Sequence, residues 1–138
     1  MARYLLDTNV FSEPLKAAPR AKLVRRLEAR QGEIATAAPV WHELLFGCNR
    51  LPASKRRARI ERYLSEVVWP FVPVLPYDAS AARWHATERA RLAALGKTPT
   101  FVDGQIAAIA YVNDLTLVTE NRADFADFDG LQVEDWSR

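Results

Sequence analysis

Three acidic side chains stand where a parallel α/β fold usually places its functional groups. Asp7 directly follows a short apolar run, and Glu43 and Asp103 lie near the predicted beginnings of two different helices. The end of a parallel strand and the start of the helix that follows it both belong to the carboxyl edge of the sheet. The spacing therefore allows the three carboxylates to converge on one pocket.

Converging carboxylates repel one another unless a cation lies between them. Oxygen ligands favour hard ions such as Mg²⁺ or Mn²⁺ over zinc, and His42, His85 and Cys48 do not have the spacing of a zinc site. A bound ion of this kind lowers the pKa of a coordinated water and stabilises in-line displacement at phosphorus. The acidic residues thus predict metal-assisted phosphodiester chemistry.

Each acid also has a purely structural explanation. Asp7 can support the turn after a strand, and Glu43 can favour a helix N-terminus. Thr100 and Asp103 match a capping box. Taken alone, each acid is more simply explained in this way, whereas the combination of the three favours a site.

The elements that position these residues alternate between strands and helices. Apolar runs predict strands at 4–6, 33–36, 71–75, 115–119 and 131–133. Helical periodicity predicts helices over 20–30, 39–48, 54–68, 78–95 and around 102–110. This alternation predicts one domain over residues 1–138, an α/β/α sandwich with a central, mainly parallel sheet.

The bulk composition is that of an ordinary globular protein. The chain has 138 residues, 49% of them apolar, and a net charge of +2. The single cysteine, Cys48, excludes an internal disulfide and fits a reducing compartment. No signal sequence and no apolar run near the ~20 residues of a membrane span is present, so we expect a cytoplasmic protein without a membrane partner.

A basic run occupies the predicted helix over 54–68. It consists of Lys55, Arg56, Arg57, Arg59 and Arg62. Such a run can attract polyanions, but the polar face of an amphipathic helix is more often simply solvated. We expect the solvated face.

Four segments, taken in order, resemble the PIN-domain family, and within it the VapC and FitB type of bacterial toxin. They are LLDTNVFSE, PVWHELLFG, FVDGQIAAIA and LVTENRADF. The resemblance extends from Tyr4 to about Trp136 and implies a PIN-like fold. It also implies a Mg²⁺- or Mn²⁺-dependent endoribonuclease, a cognate protein antitoxin encoded alongside it, and a homodimer.

The same resemblance assigns roles to the acids. Asp7, Glu43 and Asp103 match the metal-binding acids of the family. Asp7 and Asp103 would hold the principal ion, and Glu43 would assist directly or through water. The implied reaction is metal-assisted hydrolysis of an RNA phosphodiester.

Supporting positions follow from the resemblance as well. Thr8 and Asn9 match the polar pair after the first acid, and Thr119 matches the threonine of the last motif. The fourth acidic position departs from the common pattern, because Asn121 stands where many members have aspartate. We expect Asn121 to lie at the site and Asp124 to support the turn.

Three other functions are compatible with parts of this pattern. A phosphatase with an aspartate nucleophile would need a second acid two residues after Asp7, where Asn9 stands. A DNA-directed PIN nuclease would use the same metal chemistry, since contacts with the 2′-hydroxyl are not readable from sequence. A catalytically idle RNA- or protein-binding PIN module would keep the fold without needing the acids. The last two remain alternatives to the ribonuclease.

Overall fold

A five-stranded sheet of order β3-β2-β1-β4-β5 forms the centre of the computed structural model, which describes residues 1–138. The strands are β1 (Tyr4–Leu6), β2 (Ile34–Ala37), β3 (Val74–Leu75), β4 (Thr116–Val118) and β5 (Val133–Glu134). All four neighbouring pairs are parallel, so the carboxyl ends of the strands lie along one edge. The predicted parallel sheet is confirmed.

Seven α-helices flank this sheet. They are α1 (Thr8–Ser12), α2 (Ala21–Ala29), α3 (Ala38–Asn49), α4 (Lys55–Arg62), α5 (Ala79–Ala94), α6 (Phe101–Val112) and α7 (Arg122–Phe125). A short 3₁₀ helix, Glu13–Leu15, follows α1, and a π-helical segment, Tyr63–Val68, continues α4. The expected α/β architecture is confirmed. None of the helices has the length and apolar character needed to cross a bilayer.

The order of the strands reverses at β1. The chain places β2 and β3 on one side of β1 and then returns to place β4 and β5 on the other. Open α/β sheets form a ligand crevice at such a reversal, outside the carboxyl ends of the strands. Tyr4, Leu5 and Leu6 are all buried, as expected for a central strand covered on both faces. The crevice therefore lies between the ends of β1 and β4.

The strand predicted at 71–75 is shorter than expected. The backbone N–H groups of Phe71 and Val72 both donate to the Val68 carbonyl, which keeps these residues in a turn. The chain joins the sheet only afterwards, when the Pro73 carbonyl accepts a hydrogen bond from the Thr36 N–H. Pairing with β2 is therefore limited to Val74–Leu75.

Two short helices and one strand boundary also differ from the sequence analysis. The helices α1 and α7 have five and four residues, too few for an apolar periodicity to show. The last strand lies at Val133–Glu134 rather than 131–133, because its pairing with Leu117 and Val118 of β4 begins at Val133.

The helix predicted over 54–68 changes its geometry at Tyr63. In the π-helical segment, the Trp69 N–H donates to the Leu64 carbonyl at 2.9 Å, five residues back. The Tyr63 hydroxyl donates to the Phe11 carbonyl at 2.9 Å and ties the segment to α1. The Trp69 ring stacks on Trp41 of α3 with 5.4 Å between centroids.

Helix α6 approaches α5 closely at Gly104. A Cβ atom at this position would lie 2.0 Å from Nε2 of His85. His85 is buried, and its Nδ1 forms a 2.8 Å hydrogen bond with the Tyr77 hydroxyl, which holds the ring in place. Because Gly104 directly follows Asp103, this contact helps to fix the first turn of α6.

We expect Gly104→Ala to destabilise the fold by about 1–3 kcal/mol, the usual cost of inserting a methyl group into a well-packed interior. Gly47→Ala is the matched control, because Gly47 is also helical and a Cβ there meets nothing within 4 Å. Alanine at position 47 should be neutral or stabilise by up to ~1 kcal/mol through its helix propensity. Denaturant unfolding measures both, and equal stability of the two variants would contradict the packing argument.

Candidate functional site

Asp7 follows β1 and caps α1, and its carboxylate is held from two sides. Oδ2 accepts a 2.8 Å hydrogen bond from the Thr119 hydroxyl, which follows β4, and Oδ1 accepts one of 2.8 Å from the Thr8 N–H. The Asp7 N–H donates to the Val118 carbonyl. Asp7 and Thr119 are both buried. The carboxylate is thus fixed in the crevice between two neighbouring strands.

The pKa of Asp7 is raised above its ordinary value. Burial is the largest cause, and the hydrogen bonds from Thr119 and Thr8 oppose it. The negative charge of Asp124 raises the pKa further. Asp7 is therefore a buried carboxylate close to another acid.

Asp103 lies in the first turn of α6. Its N–H donates to the hydroxyl of Thr100, the N-cap residue, at 3.1 Å. Burial raises the pKa of Asp103, Thr100 opposes this effect, and the charges of Asp124 and Asp7 raise the pKa again. The structure thus places Asp103 near enough to Asp7 for the two charges to interact.

Asp7, Asp103 and Asp124, here called the acidic cluster, carry charge that nearby basic residues do not compensate. No lysine or arginine forms an ion pair with any of these three side chains. Carboxylate oxygens and uncompensated negative charge suit a hard divalent cation. The side chains fit such an ion in type and charge, although no three acidic, histidine or cysteine side chains are yet close enough to coordinate one.

Glu43 occupies an exposed position on α3. Its side chain is 46% exposed, and Oε1 is 3.5 Å from His42 Nδ1. Glu43 and Thr8 both line a cleft that begins beside Asp7. The predicted convergence therefore extends to Asp7 and Asp103, whereas the role of Glu43 as a metal ligand stays a prediction.

The two candidates for the fourth position occupy the turn after β4. The Asn121 N–H donates to the Thr119 hydroxyl at 3.1 Å, and the Asn121 side chain does not cap α7. The Asp124 N–H donates to the Asn121 carbonyl, and the Asp124 charge acts on both Asp7 and Asp103. The role of Asp124 as a support of the turn stays a prediction, and its charge reaches both acids from the surface. The placement of Asn121 at the site stays a prediction.

Asn9 and the ion pairs of the exposed Arg20 hold the same turn from the other side. Asn9 Oδ1 accepts a 3.4 Å hydrogen bond from the Glu120 N–H. Arg20 donates from Nε to Oε1 of the buried Glu13 at 2.6 Å and also pairs with Glu120. The sequence analysis assigned no role to Glu13. Lys16 and Arg20 follow it three and seven residues later, as residues on the same side of a helix do, and this spacing is a signal for an ion pair.

Glu13 is the electrostatic opposite of Asp7. Burial pushes its pKa up, but hydrogen bonds and charge from Arg20 and Lys16 outweigh this effect, so the pKa is lowered. The segment LLDTNVFSE thus contains two buried acids: the charge of Glu13 is neutralised by arginine and lysine, whereas the charge of Asp7 is not.

A cleft of about 770 Å³ runs from Thr8 and Glu43 between α3 and α4. Its cationic lining consists of Lys16, Arg50, Arg56 and Arg59. The basic run of α4 is therefore divided: Arg56 and Arg59 face the cleft, whereas Arg57 pairs with Glu61 at 2.7 Å. Arg56 and Arg59 are exposed while lining the cleft, so the solvated face stays a prediction for them.

Comparison with known proteins shows a similar fold and a related sequence over nearly the whole chain. The family model of the PIN domain matches residues 4–131. The tRNA(fMet)-specific endonuclease VapC of Shigella flexneri is 33% identical over 138 residues, which are 99% of this chain and 100% of that protein.

Two solved structures are similar as well. FitAcB from Neisseria gonorrhoeae has a TM-score of 0.89 at 31% identity, over 96% of this chain and 97% of that one. VapBC-5 from Mycobacterium tuberculosis, a member of the VapBC family of toxin–antitoxin systems, has a TM-score of 0.71 at 31% identity, over 98% of both chains.

We expect Asp7→Asn to raise the melting temperature of the metal-free protein at pH 7 by a few degrees. The pKa of Asp7 is raised, so its ionisation destabilises the fold as the pH rises through the folded-state pKa. The gain should shrink towards pH values below about 4, where the unfolded carboxyl is also protonated.

Glu13→Gln is the matched control and should lower the melting temperature at pH 7. The pKa of Glu13 is lowered, so its charge stabilises the fold at neutral pH and this stability is lost as the pH falls through the folded-state pKa. Thermal melts in EDTA across this pH range measure both variants. Changes of the same sign at pH 7 would contradict the opposite electrostatic roles.

Proposed function

This chain belongs to the PIN-domain family, and from that premise we propose that it is a divalent-cation-dependent endoribonuclease using Mg²⁺ or Mn²⁺. It is a toxin ribonuclease of the VapC type, from a toxin–antitoxin system. Dependence on a metal ion and the residues that hold it are our proposal. The observation that carries it is the buried Asp7 carboxylate beside two other acids at the reversal of the sheet, without a compensating lysine or arginine.

The protein side of the mechanism follows from these contacts. Thr119 and Thr8 keep Asp7 in one orientation, and the packing at Gly104 keeps Asp103 beside it. Asp7 and Asp103 would hold the principal ion, with Glu43 assisting from the cleft wall. A bound Mg²⁺ or Mn²⁺ supplies an activated water and neutralises charge at the scissile phosphate. The arginines of the cleft would hold the neighbouring phosphates.

We propose that Asp124, and not Asn121, is the fourth metal-binding residue. The support is electrostatic, because the Asp124 charge acts on both Asp7 and Asp103. An aspartate at this position adds negative charge and favours a second ion, whereas an asparagine would supply only a neutral oxygen.

Asp7→Asn and Asp103→Asn should each reduce RNA cleavage at least ~100-fold in folded protein, a loss similar to that for other groups that stabilise transition-state charge. EDTA should abolish cleavage by the unchanged chain, and Mg²⁺ or Mn²⁺ should restore it. The assay uses tRNA, the substrate class in the name of the Shigella relative. Near-normal cleavage by both variants would eliminate the proposed site.

The same assay separates the remaining alternatives. Asp124→Asn should cost about as much activity as Asp103→Asn, and Asn121→Ala should cost much less. A larger loss for Asn121→Ala than for Asp124→Asn would instead identify Asn121 as the fourth metal-binding residue. Cleavage of DNA and not RNA would indicate the DNA nuclease, and binding of RNA without cleavage in any metal would indicate the idle module.

We also propose a cytoplasmic location, a homodimer and a cognate antitoxin encoded in the neighbouring reading frame. The surface that would receive the antitoxin is an apolar groove of about 480 Å³ between α2 and the π-helical segment. At its rim, Val67 is 54% and Phe71 75% exposed, and a contiguous exposed apolar surface of this kind suits a protein partner. Light scattering of the purified chain tests the dimer.

Phe71→Glu should reduce co-purification of the neighbouring gene product at least ~10-fold, because it places a charge in an apolar contact. Leu95→Glu is the control, since Leu95 is 62% exposed at the end of α5 and does not line the groove. Equal recovery of the partner with both variants would contradict this docking surface.

A further inference from the structure

Phe46 presents an aromatic ring to solvent on the face of α3 that carries Glu43. The residue is 53% exposed, and the buried side of this helix is formed instead by Val40, Leu44 and Cys48. Residues three apart on a helix are surface neighbours, so the Phe46 ring lies within one turn of Glu43. Its position is not explained by the core.

The surroundings of this ring are aromatic and cationic. The His42 ring is nearly parallel to it, with an interplanar angle of 12° and 6.2 Å between centroids. The Arg50 guanidinium carbon lies 5.7 Å from the Phe46 centroid. Successive flat groups with a neighbouring arginine are typical of surfaces on which nucleobases stack.

Phe46 also lines the 770 Å³ cleft beside the acidic cluster. Four cationic side chains line this cleft and Glu43 is its only acid, so the cleft favours a polyanion. An aromatic ring adds nothing to phosphate binding, but it does bind the flat face of a base. A ring among cations therefore favours a nucleic-acid strand whose bases are free to leave the stack.

We propose that Phe46, extended by His42, is the platform on which an unpaired nucleobase of the RNA substrate stacks, while Lys16, Arg50, Arg56 and Arg59 contact the adjoining phosphates. The inference rests on the proposed ribonuclease function and narrows its substrate to RNA that is single-stranded at the cleavage site. Bases of a duplex are already stacked and are not available to the ring. Phe46 is thus a substrate-positioning residue next to the acids.

The test compares two substitutions of the same residue. Phe46→Tyr keeps the aromatic ring. Phe46→Leu removes the ring but keeps an apolar side chain. The probe is a single-stranded RNA oligonucleotide containing 2-aminopurine, titrated into the full chain in EDTA so that binding is measured without cleavage. Phe46→Leu should bind about 10-fold more weakly, the order of loss expected when a base no longer stacks on an aromatic ring, and should lose the quenching of 2-aminopurine fluorescence. Phe46→Tyr should keep both properties, and a duplex of the same sequence should bind all three proteins alike.

Thermal melts verify that both variants fold, as expected for an exposed residue. Equal affinity and quenching for Phe46→Leu and the unchanged chain would overturn the platform, and cleavage that still depends on Asp7 would leave the ribonuclease function standing. Unchanged RNA binding with weakened antitoxin binding would assign the ring to the protein partner and also overturn the proposal. Absence of both RNA binding and Asp7-dependent cleavage would contradict the proposed ribonuclease function as well as the stacking platform.

Discussion

A hydrogen bond between two neighbouring strands organises the site: the Thr119 hydroxyl after β4 holds the Asp7 carboxylate after β1. It requires the two strands to be parallel neighbours with their carboxyl ends level, which the pairing of Leu6 with Val118 provides. It also draws a carboxylate into the interior, where ionisation is unfavourable. The sheet, with its buried central strand, supplies the rigid frame in which this unfavourable placement persists.

The segment LLDTNVFSE contains two buried acids, and only one of them has positively charged neighbours. Glu13 is surrounded by Arg20 and Lys16, and its charge is compensated within the chain. Asp7 receives hydrogen bonds but no counter-charge, and the charge of Asp124 acts on both Asp7 and its neighbour Asp103. This contrast distinguishes an ion pair that holds a turn from a carboxylate left available for a ligand, although both residues are acids of similar burial.

Much of the frame is predictable from local sequence. β1 follows from an apolar run, and α3 and α6 follow from helical periodicity and from Pro39 and Thr100 at their starts. Asp7 and Asp103 could be placed near each other because parallel topology brings strand ends and helix starts to one edge. Contacts between distant residues were not predictable. Arg20 and Glu120 are 100 residues apart, and the coupling of Asp124 depends on a one-turn helix with no periodic signal.

The π-helical segment determines how the chain responds to the loss of one residue between 63 and 68. It accommodates one residue more than an α-helix with the same rise between its ends would. Deleting one residue from 63–68 would restore regular α-geometry, and the residues that follow would keep their direction around the helix axis. Trp69 could then still stack on Trp41, and the chain would still lead into β3. A one-residue deletion inside a regular α-helix would instead turn everything after it by about 100°. Related sequences should therefore tolerate a one-residue gap in this segment better than in the regular helices.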